Sequence, residues 1–137
     1  MRLPERVREA AERLQGVVVE HRPADWVIGF YDTTATLFYC DPPYHPQTCD
    51  CSGYQHTLKV EAHEALAAQL REVQGMVVLS GYQHPDYDRW YEGWHRRDRI
   101  HTCGAAAAEG KPYQRVESLW FNPLAWENLQ ASRAETA

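Results

Sequence analysis

Helical and strand periodicities alternate along the chain. Residues 3–15 place Leu3, Val7, Ala10, Ala11 and Leu14 at helical spacing, with Pro4 in the opening turn and Gly16 at the stop; this predicts an amphipathic helix. Val17, Val18 and Val19 follow as a β-branched run, expected to form a first buried strand. Residues 21–24 turn the chain, and Pro23 is placed to open a short helix carrying Trp26, Val27 and Phe30. Residues 35–40 predict a second strand, apolar on both faces, and residues 45–59 a loop rich in His, Pro, Thr, Gly and Asp. The helical period returns over residues 60–73, with Ala62, Leu66, Leu70 and Val73 on one stripe and Gly75 closing it. Residues 76–79 predict a third buried strand, ending in Ser80-Gly81-Tyr82, after which Pro85 opens a short helix with Tyr87, Trp90 and Tyr91. Residues 94–103 and 115–121 read as a closing hairpin joined by residues 104–111, and the last dozen residues as a fraying tail.

Strands alternating with helices predict an α/β domain with a parallel sheet. Such sheets bind ligands off the carboxyl ends of their strands. Three polar clusters fall at those ends: Glu20-His21, Asp41 to Tyr44, and Ser80 to Tyr82. Ser80 and Tyr82 fit either the lining of a pocket or the closing of a turn.

A length of 137 residues suits one core, so residues 1–137 are expected to form a single domain. The 44% apolar and 24% charged content excludes an extended disordered protein. No apolar run reaches a membrane span and the amino-terminal segment is too charged for a secretory signal, so a soluble cytoplasmic protein without membrane contact is expected. Cys40, Cys49, Cys51 and Cys103 are then expected as free thiols. A net charge of −5 excludes a uniformly basic nucleic-acid coat. Residues 89–115 nevertheless carry six positive and three negative side chains, +3 locally against −8 elsewhere. A phosphate-contacting face bearing Arg96 and Arg97 and a solvated hairpin face both fit that balance. His45, Cys49, Cys51 and His56 are residue types that hold zinc, but Cys-x-Cys is not the usual knuckle and no second pair follows. A polar loop without metal is expected there. His63, on a helix flank, reads as a surface position or one behind the site. The tryptophans Trp90, Trp94, Trp120 and Trp126 read mostly as packing.

The segment most suited to chemistry is Leu37-Phe-Tyr-Cys-Asp-Pro-Pro-Tyr44. Adjacent prolines fix two φ angles and remove two amide donors, making a stiff ledge at a strand end. The ledge offers a carboxylate, bare carbonyls and an aromatic ring, which together suit an exocyclic amine on a flat heterocycle. In this the chain resembles the Dam-type adenine-N(6)-specific DNA methyltransferases, which use S-adenosylmethionine. The likeness extends to His56, to the helix around His63 and Leu66, to Val77-Val-Leu-Ser-Gly-Tyr82 and to Val116-Glu-Ser-Leu-Trp-Phe-Asn122. It covers roughly residues 15 to 123.

The resemblance implies a Rossmann-like methyltransferase sheet of parallel strands closed by an antiparallel hairpin. It implies DNA as partner and a flipped adenine as substrate. Asp41 and the Pro42 carbonyl would accept hydrogen bonds from the adenine amino group, on a ledge stiffened by Pro43. Tyr44 would stack on the purine. Ser80, Tyr82, His56, Arg96 and Arg97 are the candidates for substrate contact, and Glu20 and His21 occupy the position near the cofactor. One departure accompanies these matches. The family's Phe-x-Gly-x-Gly cofactor turn is not found, and no two of the eight glycines form Gly-x-Gly. The chain therefore reads as the catalytic half of such an enzyme with its amino-terminal strands missing, acting with a companion that carries the cofactor half. The alternative is an inactive remnant or a nucleic-acid-binding module.

Overall fold

In the computed structural model, residues 3–48, 58–103 and 113–135 are described. The chain runs α1 (Leu3–Arg13), α2 (Ala24–Tyr31), β1 (Leu37–Cys40), α3 (Val60–Glu72), β2 (Met76–Tyr82), α4 (Pro85–Trp90), β3 (His95–Cys103), β4 (Tyr113–Phe121) and α5 (Pro123–Glu135). The sheet order is β1-β2-β4-β3. β1 and β2 are parallel, whereas β4 lies antiparallel to both β2 and β3. The α/β class and the parallel pair closed by an antiparallel hairpin are thus as expected.

The core forms where two periodicities meet. β2 alternates, burying Val77, Leu79 and Gly81, and α3 presents His63, Ala67 and Leu70 at spacings of four and three. These residues pack with Tyr87 and Trp90 of α4, Tyr91, and Trp120 of β4. Each large apolar side chain so buried stabilises the fold by about 1.5–3 kcal/mol. The buried stripe of α3 lies one residue over from the expected one: His63 and Ala67 are buried, while Ala62 and Leu66 are half-exposed. His63 is therefore a core residue, only 1% exposed, and not a surface one.

Two polar side chains stitch the junctions. The Asp32 carboxylate accepts from the amides of Gln74 and Gly75 at 2.9–3.0 Å, fixing the end of α2 to the entry of β2. There the backbones approach so closely that a Cβ on Gly75 would lie 2.7 Å from the Thr36 carbonyl oxygen. Asn122 is buried and bonded at both ends of its amide: Oδ1 accepts from the amides of Val77 and Ala125, and Nδ2 donates to the Gly75 carbonyl.

Three expectations are corrected. Val17, Val18 and Val19 form no strand, and Val19 is 90% exposed. β-branching favours an extended backbone, but a strand also needs a neighbouring ladder, and none pairs with this run among the described residues. Residues 126–135, expected to belong to a fraying tail, instead form most of α5, whose Ala125 is buried. Asn122 caps that helix and Pro123 opens it, a start signal written in the sequence. Finally, β1 is not buried on both faces. Phe38 and Cys40 turn toward the core, while Leu37 and Tyr39 are exposed, the latter by 63%. With Val7, Leu14, Trp26 and Phe30 also exposed, uncovered apolar surface is concentrated in the amino-terminal third and along β1.

Candidate functional site

Parallel pairing sets Cys40 opposite Leu79, so β1 leads into Asp41 alongside the last residues of β2. This register brings two of the three polar clusters together. The ring of Tyr44 lies 4.3 Å from that of Tyr82, tilted by 50°. Ser80 and Tyr82 belong to β2 itself, paired with Leu119 and Glu117 of β4, and are not a turn beyond it. Between them, Gly81 carries no Cβ where one would lie 3.0 Å from the ring of Tyr87.

Asp41 is exposed and Pro42 half-buried. Both line an open groove of about 510 Å³ along β1, walled by Val27 and Ile28 of α2, Phe38 and Leu66. The groove is largely apolar and carries the Asp41 carboxylate, a combination suited to a flat heterocycle bearing an amine. Burial pushes the Cys40 thiol up to about 11, which keeps it protonated and unreactive beside the carboxylate.

Behind the ledge, His45 is completely buried. Its ring stacks on His84 with centroids 3.8 Å apart, Nδ1 accepts from the Gln47 amide, and the carbonyl accepts from the amide and hydroxyl of Thr48. Its Nε2 points at the Asp86 carboxylate, 3.3 Å away. His45, His84 and Asp86 are the residue types of a metal centre, with ligand atoms within 4.8 Å of one another. Both ring nitrogens of His84 and Nδ1 of His45 have hydrogen-bond contacts, whereas His45 Nε2 is buried without a hydrogen-bond partner. The Nδ1 atoms of His45 and His84 accept backbone amides, and His84 Nε2 meets Gln47 Oε1 at 3.0 Å. That pattern leaves the protons on Nε2, whereas a ligating Nε2 requires the proton on Nδ1. The three side chains form one close cluster behind the ledge, with the His45 ring stacked on His84 and facing the Asp86 carboxylate. Burial and the nearby His84 push the His45 pKa down, outweighing the opposing pull of Asp86.

His63 completes this buried layer. Its Nδ1 lies 3.2 Å from the Tyr87 hydroxyl, and burial together with His45 pushes its pKa down to about 4. An unfolded chain takes up the His63 proton near pH 6.5, well before the folded protein does. The associated stability is thus complete above about pH 6.5 and is lost as pH falls toward 4. His63→Asn, which retains an acceptor but no titratable ring, is expected to flatten the decline in urea stability between pH 7 and pH 5. An unchanged decline would show that His63 is not the group responsible.

The remaining sequence candidates are dispersed. Glu20 accepts from the Tyr31 hydroxyl at 3.1 Å, and His21 is exposed; neither lines the groove. Arg96 is held by Asp88 at 2.6 Å and Asp98 at 3.1 Å, and Arg97 lies 5.0 Å from the ring centroid of Trp126. His56, Cys49 and Cys51 lie outside the described residues. The contacts of Tyr87, His84 and Asp86 with His45 were not legible in the sequence, where these residues stand more than 35 positions later.

A family model described as D12 class N6 adenine-specific DNA methyltransferase matches residues 2–103, well over half of the chain. No match is found among curated proteins. Among the described residues no helix is long and apolar enough to cross a membrane.

Proposed function

Because the chain belongs to the D12 class of N6 adenine-specific DNA methyltransferases, we propose that it supplies the adenine-binding and methyl-accepting side of the reaction. The single observation that carries this reading is the register that sets Asp41 to Tyr44 beside the end of β2, with Asp41 and Pro42 on an apolar groove. A base flipped from the duplex would enter with its amino group at the ledge. Asp41 and the Pro42 carbonyl each accept a hydrogen bond from one of its two N–H groups, which draws the nitrogen toward a tetrahedral shape and aims its lone pair at the methyl group. Pro42 and Pro43 hold these acceptors still, since neither can rotate about φ. Tyr44 supplies a face on which the purine stacks, worth about 1–3 kcal/mol per base.

S-adenosylmethionine, when bound, supplies an electrophilic methyl group. The groove suits apolar and aromatic parts of a ligand, but among the described residues its lining has no glycine turn to cradle a charged amino-acid end. The residues present do not fit the whole donor, and the donor site is completed by a segment carrying the Phe-x-Gly-x-Gly turn. The uncovered apolar residues along β1 support the same conclusion, since an exposed parallel edge invites a neighbour.

The test is complementation. The 137-residue chain mixed with a chain carrying the glycine-rich half is expected to transfer labelled methyl groups to adenine in DNA. Stacking needs a ring and not a hydroxyl, so Tyr44→Phe should keep much of the activity and Tyr44→Ala should lose it. Equal activities of the two variants would refute stacking, and no transfer from the wild-type mixture would refute the reading itself.

A further inference from the structure

We propose that a second cleft, beside the ledge, holds the base next to the target adenine, and that Gln47 and Gln83 select guanine or thymine there. The proposal rests on the methyl-transfer reading above and adds to it a source of sequence preference.

The cleft has a volume of about 390 Å³ and is lined by Gln47, Thr48, Tyr82, Gln83, His84 and Val116. It shares none of these residues with the groove that carries Asp41. A pair of aromatic rings joins it to the ledge: Tyr82 lines the cleft, and its ring lies 4.3 Å from that of Tyr44. A base stacked on Tyr44 has its neighbour in the strand one nucleotide away, within reach of a site built on Tyr82. The lining decides which part of that nucleotide fits. Among the described residues neither lysine nor arginine lines the cleft, so it does not suit a phosphate. Two side-chain amides, a hydroxyl and a phenol ring suit the polar edge and flat face of a base.

Hydrogen bonds fix the direction of one of the amides. His84 Nδ1 accepts from the Asp86 amide at 3.2 Å, so the ring proton sits on Nε2. That Nε2 donates to Gln47 Oε1 at 3.0 Å. With its oxygen so engaged, Gln47 offers a ligand its two Nε2 hydrogens. The backbone beside it is held as well, since the His45 carbonyl accepts from the amide and the hydroxyl of Thr48, both at 2.8 Å. Guanine and thymine carry carbonyl acceptors on the edge that a base pair shows in the major groove. Cytosine shows an amino donor there, and adenine one group of each kind. A fixed donor therefore favours guanine and thymine. Gln83, exposed on the same cleft, can turn either end of its amide to complete the contact.

The first measurement is binding of the 137-residue chain to short duplexes with a mismatched central adenine, where flipping costs least. The base beside the adenine in the same strand is varied through all four, first on one side and then on the other. On one side, guanine and thymine are expected to bind at least about fivefold tighter than cytosine. Gln47→Ala should abolish that ratio, and Gln47→Glu, which has acceptors only, should invert it. Gln83→Ala should reduce it, and a ratio it leaves unchanged removes Gln83 from the site. Equal binding of the four bases on both sides, a ratio that survives Gln47→Ala, or no binding to any duplex overturns the proposal. The second measurement is methyl transfer to the same duplexes by the complemented enzyme. A preference in binding without transfer to any duplex would refute the methyl-transfer reading and leave the cleft as a base site. Transfer without preference would refute the cleft alone.

Discussion

Asp41→Ala is expected to lower methyl transfer in the complemented enzyme by at least about a hundredfold, the loss typical of removing one oriented partner from a developing charge. The carboxylate stands at a strand end and is exposed. Its removal should change stability by no more than about 1 kcal/mol. Asp41→Asn sharpens the test. The amide retains one acceptor oxygen but adds a donor facing the adenine amine, so transfer should fall nearly as far. Full transfer by either variant would remove Asp41 from the reaction, and unfolding of both would show that the carboxylate serves the fold.

The second large effect is structural and lies on the other side of the sheet. Asn122→Ala leaves three groups without their partner: the amides of Val77 and Ala125 and the carbonyl of Gly75. Each unsatisfied buried group costs about 1–3 kcal/mol, and the lost helix cap belongs to the same sum. Allowing for relaxation, the expected destabilisation is about 3–5 kcal/mol, a large share of the 5–15 kcal/mol typical of a domain. Urea unfolding measures it as a lower midpoint at unchanged slope. Asn128→Ala, which removes only an exposed bond to Leu124 within α5, is the control and should cost about 0.5 kcal/mol or less. Equal losses from the two substitutions would show that the Asn122 bonds do not hold β2 and α5 together.

Local pattern was enough to locate the helices α2, α3 and α4, the strands β1 and β2 and the hairpin, because each is written in spacing that the backbone imposes on nearby residues. The Asp41 to Tyr44 ledge was legible for the same reason, since proline restricts its own φ whatever surrounds it. The amino-terminal valines show where that kind of reading fails. Propensity is a property of the residue, but a strand is a property of two segments, and Val17 to Val19 have no partner among the described residues. The carboxyl-terminal helix was missed for a different reason: Asn122-Pro123 is a complete start signal, but the residues after it show little apolar periodicity. What makes that helix secure is a single asparagine bonded to a strand 45 positions earlier.

The same division runs through the site. Sequence alone pointed to the residues whose groups suit an amine, for that depends on functional groups and on two adjacent prolines. It also determined that Ser80 to Tyr82 end a strand. Only the tertiary structure decided that these two segments meet, because the meeting depends on the parallel register of β1 with β2. Only the tertiary structure placed His63 inside the protein, since a histidine at helical spacing reads as surface until a phenol is found opposite its ring. A polar side chain can be buried only where another group completes its hydrogen bonds, and that group comes from wherever folding brings the chain back.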